Sequence, residues 1–318
     1  MSATSIRMSL RVHRIEWAAE GILAVELRDP AGAGLPAFTA GAHVDLILPN
    51  GLTRSYSLAN DPAERHRYVL GIGLDPASRG GSRFVHRDLR VGQKIDVEGP
   101  RNHFPLEEAA PFTVLIAGGI GITPMAAMAQ RLKAIGRTFA FYYAVRDPSR
   151  AAFLDVVQPL TPDFRLHVDA VAGGPLDIKA IVAAAPEGAH FYCCGPLPML
   201  AAYEAATAGL PVEQVHLEYF QAKPQAAAVE VPFEVELAQS GRVLVVPPGK
   251  SIADVLEGAG IRTATSCCEG ICGSCETRLV SGEPDHRDSV LTAAEKAANK
   301  TLMICVSRAK SARLVLDL

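Results

Sequence analysis

Thr265-Ser266-Cys267-Cys268-Glu269-Gly270-Ile271-Cys272-Gly273-Ser274-Cys275 is the stretch on which the reading of this 318-residue chain turns. Cys267, Cys272 and Cys275 stand in the spacing C-x4-C-x2-C, and Cys305 follows 30 residues after the last of them. That is the plant-type [2Fe-2S] pattern, in which four thiolates hold two irons. Sulfide-bridged iron takes soft, deprotonated thiolates. The small residues Gly270, Gly273 and Ser274 let a loop wrap such a cluster and aim backbone N–H groups at its sulfurs. Two other readings compete. Structural zinc favours paired C-x2-C knuckles, and only one such pair is present. Disulfides belong to oxidising compartments, and nothing upstream suggests secretion. Cys268 is left out of the ligand set, because starting from it gives C-x3-C.

Working outward, SCCEGICGSCETRLVSGEPDHRD and LMICVSRA around Cys305 resemble the C-terminal ferredoxin domain of the phthalate dioxygenase reductase family, which includes vanillate demethylase reductases. Cys268 departs from the family, which usually has an acidic residue there. Before the cysteines, PFEVELAQSGRVLVVPPGKSIADVLEGAG reads as a β-hairpin and one amphipathic helix capped by Ser251, the opening of a β-grasp ferredoxin. Residues 221–229, QAKPQAAAV, have no periodic apolar face and read as a linker.

Apolar content of 49% and charged content of 20% describe an ordinary globular chain, and a net charge of −3 argues against non-specific nucleic-acid binding. No run of about 18 apolar residues predicts a membrane span. Seven cysteines, four of them committed to a cluster, suit the reducing cytoplasm, where we expect the protein to act. The nine histidines are scattered, without an H-x3-H or H-E-x-x-H signature. His103, His216 and His286 read as capped or surface residues.

Residues 6–105 hold six short runs rich in Val, Ile, Leu and Tyr, divided by turn residues, which predicts a barrel or sandwich. One stretch, Ser82 to Leu89, looks helical. Two local signals suggest a phosphate-bearing ligand. Alternation in Arg54-Ser55-Tyr56-Ser57 puts Arg54 and Tyr56 on one strand face and Ser55 and Ser57 on the other. Arg79-Gly80-Gly81-Ser82 opens the helix, where free N–H groups can meet a phosphate. Each alone also fits an ordinary strand or cap. Together they resemble the flavin half of the ferredoxin reductases. By that resemblance Arg54, with Ser55 beside it, contacts the flavin phosphate, Tyr56 and Ser57 line the isoalloxazine ring, and Gly80, Gly81 and Ser82 bind phosphate. Asn102 falls in GPRNHF, which resembles the family's barrel-closing segment. The compact glycine loop resembles the FMN-binding branch, so FMN is expected rather than FAD.

From Pro111 strands and helices alternate, as a parallel α/β sheet requires. FTVLIA is a continuous apolar run, and Gly118-Gly119-Ile120-Gly121-Ile122-Thr123-Pro124 follows it, with Thr123 expected as N-cap of a helix from Met125 to Ile135. The third glycine of the common dinucleotide fingerprint is missing. G-G-x-G-x-T-P instead resembles the pyridine-nucleotide loop of ferredoxin reductases. Cys194-Gly195-Pro196 resembles their turn beside the nicotinamide, although buried packing would account for Cys194 as well. Phe220 matches the aromatic that lies near the flavin. Arg146 is followed at once by Asp147, with Arg150 the other cation close by, so NADH is expected over NADPH.

The expected architecture is multidomain, β then α/β then α+β. A flavin barrel spans 1–108, a nucleotide-binding domain 109–222, a linker 223–229 and a [2Fe-2S] ferredoxin domain 230–318. The resemblance implies an NADH-dependent reductase feeding a Rieske-type oxygenase component. Alternatives are the same electron chain serving another monooxygenase, or a ferredoxin-like carrier or sensor whose upstream domains bind nothing.

Overall fold

A computed structural model describes residues 6–223 and 230–318, in two compact units that divide between Phe220 and Gln221. Apart from Lys223, the expected linker lies outside the described residues.

The first unit begins with six strands: β1 Arg7–Ala19, β2 Ile22–Arg28, β3 His43–Ile47, β4 Thr53–Ser57, β5 Tyr68–Gly73 and β6 Lys94–Arg101. They pair antiparallel in the order β4-β3-β6-β1-β2-β5, and one bridge, Leu58–Leu70, joins the outer two into a barrel. Past that bridge the Asn60 amide sews the seam: its Oδ1 accepts from Val69 N at 2.9 Å and its Nδ2 donates to Arg67 O at 3.2 Å. Inward residues such as Leu10, Val25, Val44, Leu46 and Ile72 are wholly buried. Each such side chain contributes about 1.5–3 kcal/mol. Helix α1, Gly81–Arg87, is tied to the barrel through His86 Nε2 and Ile72 O at 2.9 Å.

The same unit continues as β7 Thr113–Gly118, α2 Ile122–Ala134, β8 Phe139–Val145, α3 Leu154–Val157, β9 Phe164–Val168, α4 Asp169–Ala172, α5 Ile178–Ala184, β10 His190–Cys194, α6 Leu197–Thr207 and β11 Val215–Glu218. The strands are all parallel, in the order β11-β10-β7-β8-β9. Central β7 is buried along its whole length, which explains an apolar run without alternation. The chain winds from β7 through β8 and β9, then returns to lay β10 and β11 on the other side. A crevice therefore opens at the carboxyl ends of β7 and β10, where such sheets hold ligands.

Helix α2 starts earlier than the sequence predicts, and Thr123 is not its cap. A 3-10 turn at Gly119–Gly121 runs straight into the helix, Gly121 takes the N-cap position, and Thr123 Oγ1 donates to Ile120 O at 3.1 Å. Ile122 through Ala129 are buried all round, because the core cluster they join includes barrel residues Ala40, Ala59 and Phe104 as well as the sheet. Helix α3 is a single turn between two 3-10 turns, Pro148–Arg150 and Gln158–Leu160. Strand β9 ends at Val168, where Asp169 begins α4, an acidic residue suited to a first turn.

The second unit contains β12 Phe233–Leu237, β13 Val243–Val246, α7 Ile252–Gly258, β14 Glu276–Ser281, β15 Pro284–Asp285, α8 Ala293–Ala298, β16 Thr301–Met303, β17 Arg308–Ala309 and β18 Arg313–Leu316. Its main sheet runs β13-β12-β18-β14-β16 and shares a core with α7 through Phe233, Val235, Leu256 and Leu314. Ser251 caps α7 in a reciprocal box: Asp254 N donates to Ser251 Oγ at 3.1 Å, and Ser251 N donates to Asp254 Oδ2 at 2.9 Å. Such a cap is worth about 1 kcal/mol. Among the described residues no helix is long and apolar enough to cross a membrane.

Candidate functional site

The end of β4 meets the start of α1. Arg54 lies against the first helical residue so closely that a Cβ on Gly81 would stand 2.7 Å from Arg54 Cγ. Its Nη1 donates to Thr53 O at 2.7 Å. Gly80 sits at φ 106, a left-handed conformation that a side chain would strain. The Ser82 hydroxyl faces the preceding turn, accepting from Asp75 N at 3.2 Å and donating to Ser78 Oγ at 3.0 Å. Ser78, which the sequence did not single out, organises this loop by also accepting from Gly80 N at 3.2 Å. Ser55 Oγ donates to Asp45 at 2.5 Å, on the barrel face that also carries the Arg101–Asp45 ion pair. Tyr56 packs against the barrel core, and burial, opposed by Arg54, pushes its hydroxyl up to about 12. Asn102 holds the 39–40 segment: Nδ2 donates to Thr39 Oγ1 at 2.7 Å and to Ala40 O at 2.9 Å.

At the crevice two loops touch backbone to backbone. A Cβ on Gly121 would stand 2.1 Å from the Cys194 carbonyl oxygen, and one on Gly195 would stand 3.2 Å from Gly118 Cα. Gly118 backs onto Pro196 and Met199, each 2.7 Å from where its Cβ would be. Gly119 has φ 53 and open space around it. Backbone contact therefore requires glycine at Gly121, while Gly118 is crowded by Met199 and Pro196 and Gly195 by Met199. Pro124 lies in the buried first turn of α2.

Cys194 is fully buried, and that burial, with Glu218 and Cys193 beside it, keeps it a neutral thiol. Sheet register pairs Cys194 with Glu218. Glu218 is a residue the sequence reading missed. Its carboxyl is hydrogen-bonded to buried Ser57, the last residue of β4, and burial pushes it up to about 8. Its Oε2 has no hydrogen-bond partner among the described residues. Phe220, half-buried, packs against the core of the parallel sheet. The structure thus brings together Ser57, Glu218, Cys194, Gly195, Gly118 and Gly121, from both halves of the unit.

Two histidines are corrected. His216 stacks on Tyr192 with centroids 4.3 Å apart, and its Nε2 is 3.2 Å from His190 Nδ1. Burial and then His190 lower it to about 4, so it is an interior neutral ring. The His286 side chain is 8% exposed, and its Nε2 meets Asn299 Oδ1 at 3.0 Å. Both belong to strand or loop interiors that only the fold creates. His103 is exposed and stacks on His43.

In the second unit Cys267, Cys272, Cys275 and Cys305 are buried, whereas Cys268 is exposed at φ 54. No disulfide joins them. Cys275 Sγ and Cys305 Sγ are 3.1 Å apart, and Cys267 shares hydrogen bonds with both Cys272 and Cys305, so the four sulfurs form one connected set. Glu269 N donates to Cys267 Sγ at 3.3 Å. The Cys267 thiol, then burial, push Cys272 up. Thiols crowded in this way ionise against a bound cation, which is the donor chemistry an iron–sulfur cluster uses. The loop is backed by Asp288: a Cβ on Gly270 would stand 3.1 Å from Asp288 Cα, and Ser289 N donates to Gly270 O at 2.8 Å. The buried Asp288 carboxylate takes Val290 N at 3.0 Å and Leu291 N at 2.7 Å.

Residues 235–310 match the family described as the 2Fe-2S iron-sulfur cluster binding domain. Over essentially its full length the chain is similar to the phenoxybenzoate dioxygenase subunit beta of Ectopseudomonas oleovorans, at 53% identity over 100% of this chain and 99% of that one. It is 46% identical to a vanillate O-demethylase oxidoreductase of a Pseudomonas strain, over 94% of this chain and 96% of that one. The phthalate dioxygenase reductase of Burkholderia cepacia is 43% identical over 98% and 97% of the two chains. Among solved structures, a phthalate dioxygenase reductase described as a modular structure for electron transfer from pyridine nucleotides to [2Fe-2S] superposes with TM-score 0.72 and 42% identity, over 98% of each chain. A self-sufficient cytochrome P450 monooxygenase superposes with TM-score 0.90 and 39% identity over 98% of this chain, which spans 41% of that longer one.

Proposed function

The chain belongs to the phthalate dioxygenase reductase family, and from that membership and the geometry above we propose that it carries electrons from NADH through FMN to a [2Fe-2S] cluster and on to a Rieske-type oxygenase component. The observation that carries this reading is the crevice where Gly121 touches the Cys194-Gly195 turn beside the Ser57–Glu218 pair. Bound there, a flavin would supply hydride acceptance and the division of the pair into single electrons that a cluster requires.

The working parts are 1–108 for flavin, 109–222 for nucleotide and 230–318 for the cluster, joined through 223–229. Arg54 and the Gly80-Gly81-Ser82 turn hold the flavin phosphate, with Ser55, Tyr56 and Asn102 shaping the strand end around it. Gly119, Gly121 and Thr123 present backbone N–H groups of the α2 start to the pyrophosphate, with Gly118 leading the strand into that turn and Pro124 fixing its first helical residues. Ser57, Cys194 and Phe220 line the meeting point of the two rings, with Gly195 and Pro196 turning the chain beside the nicotinamide. The neutral Cys194 thiol and the protonated Glu218 place no net negative charge where a hydride moves. Cys267, Cys272, Cys275 and Cys305 hold the iron. The protein works in the cytoplasm, where its thiols stay reduced.

A visible spectrum of the purified chain, with iron assay and chromatography of the released flavin, tests the reading. Flavin and cluster bands that NADH bleaches, and one FMN per two irons, are expected. An FAD peak would replace the flavin assignment, and a colourless protein would refute the electron path.

A further inference from the structure

Strand β5 reads Leu70-Gly71-Ile72-Gly73, and its alternation sends Leu70 and Ile72 into the barrel core and the two glycines outward. The glycines face the loop after β7, but at different distances. A Cβ on Gly71 would stand 2.4 Å from Thr123 Cγ2 and 2.9 Å from Phe153 Cε2. On Gly73 it would meet Ile120 Cβ and Cγ1 at 3.7 Å, an ordinary contact. Neither position has positive φ, so what distinguishes Gly71 is space alone. Phe153, which leans on the same patch, is itself held at φ 57, an outlying backbone for an aromatic residue. On the other side, Leu70 next to Gly71 bridges Leu58 next to Ser57. A few residues of backbone therefore connect the Ser57 strand end to the first turn of α2.

We propose that Gly71 is a positioning residue for hydride transfer: the bare backbone of β5 seats the first turn of α2 and sets the nucleotide loop at a defined distance from the Ser57 end of β4. The inference rests on the reading of the crevice as the place where nicotinamide meets flavin. A methyl at position 71 cannot be absorbed by rotating Thr123, which is β-branched and tied through Oγ1 to Ile120 O. The Phe153 ring edge can turn aside. Helix α2 must then move off the barrel and take the nucleotide loop with it. Hydride transfer is steep in distance, and about 1 Å of misplacement costs on the order of 10²-fold.

The test compares Gly71→Ala, Gly73→Ala, Thr123→Ser and the double variant Gly71→Ala/Thr123→Ser as full chains loaded with flavin and iron. Single-turnover reduction by NADH should fall roughly 10- to 100-fold in Gly71→Ala and stay within about twofold of wild type in Gly73→Ala, whose new methyl meets only the 3.7 Å contact. Reduction by dithionite, which needs no nucleotide, should be alike in both. Calorimetry with NAD⁺ should show weakened binding in Gly71→Ala alone. Thr123→Ser removes the obstructing methyl and keeps the hydroxyl and backbone N–H, so adding Gly71→Ala to it should lower the NADH rate little below that of Thr123→Ser alone. Equal NADH rates for the two glycine variants would overturn the proposal, as would a matching loss with dithionite. If Gly71→Ala does not fold, recovery of folding and of the Thr123→Ser rate in the double variant supports the proposal, and failure to recover overturns it. A wild-type chain that NADH cannot reduce would instead sink the site reading, before any variant is made.

Discussion

The Glu218 carboxyl is hydrogen-bonded to Ser57, so the last strand of the parallel sheet and the fourth strand of the barrel share one buried polar contact. Burial raises Glu218 from its ordinary value to about 8. The folded chain therefore keeps a proton that the unfolded chain releases, and stability falls as pH rises from the ordinary carboxyl range through about 8. Denaturant unfolding at pH 5 and pH 8 should show that loss in wild type and a flatter profile in Glu218→Gln. Identical slopes in the two proteins would show that Glu218 is ionised inside the fold.

Serine at Cys267, Cys272, Cys275 or Cys305 should strip most of the iron and the visible cluster bands. Serine at the exposed Cys268 should leave both near normal. An iron assay on the five purified variants decides the ligand set. Normal iron in Cys267→Ser with loss in Cys268→Ser would exchange their roles.

Asp147 at the end of β8 accepts from Ser149 N at 2.9 Å, with Arg146 and Arg150 exposed on either side. A carboxylate at the end of the second strand suits a ribose hydroxyl and repels a 2′-phosphate. We expect higher kcat/KM for NADH than for NADPH. Asp147→Ala should narrow that gap by roughly tenfold, the scale of one charge-assisted hydrogen bond. A wild-type preference for NADPH would assign the two arginines to the phosphate instead.

Asp288→Ala should loosen the cysteine loop without touching a thiol. It leaves Val290 N and Leu291 N without their acceptor, at a cost of roughly 1–3 kcal/mol. Faster iron release to a chelator, with normal iron content at the outset, is the expected signature. Release at the wild-type rate would mean that the loop holds its shape without this support.

Local spacing and period made much of this molecule legible. FTVLIA declared a buried parallel strand because such strands do not alternate, and the C-x4-C-x2-C loop carries its own geometry in its spacing. What escaped depends on register between distant segments. Nothing in His216-Leu217-Glu218 marks the carboxylate as special until β11 lies beside β10 and against the end of β4. Thr123-Pro124 mimics a helix start, and only the 3-10 turn packed against Cys194 moves the true start upstream. His216 was misread because its stacking partners, Tyr192 and His190, come from a neighbouring strand. Gly71 looks like any glycine in a strand until the space beyond it is filled.

The barrel closes at Leu58–Leu70 with one bridge and a side-chain amide, where every other neighbouring pair of strands shares a ladder. Local opening starts where the fewest bonds must break, so this seam is the barrel's breathing point. It lies one residue from Ser57. Amides at Ala59 and Val69, which donate across the seam to Val69 O and Asn60 Oδ1, should exchange with solvent sooner than those in the β1–β2 ladder. Whatever rests on the end of β4 must then clasp the seam shut, so occupancy and breathing become two readings of a single equilibrium.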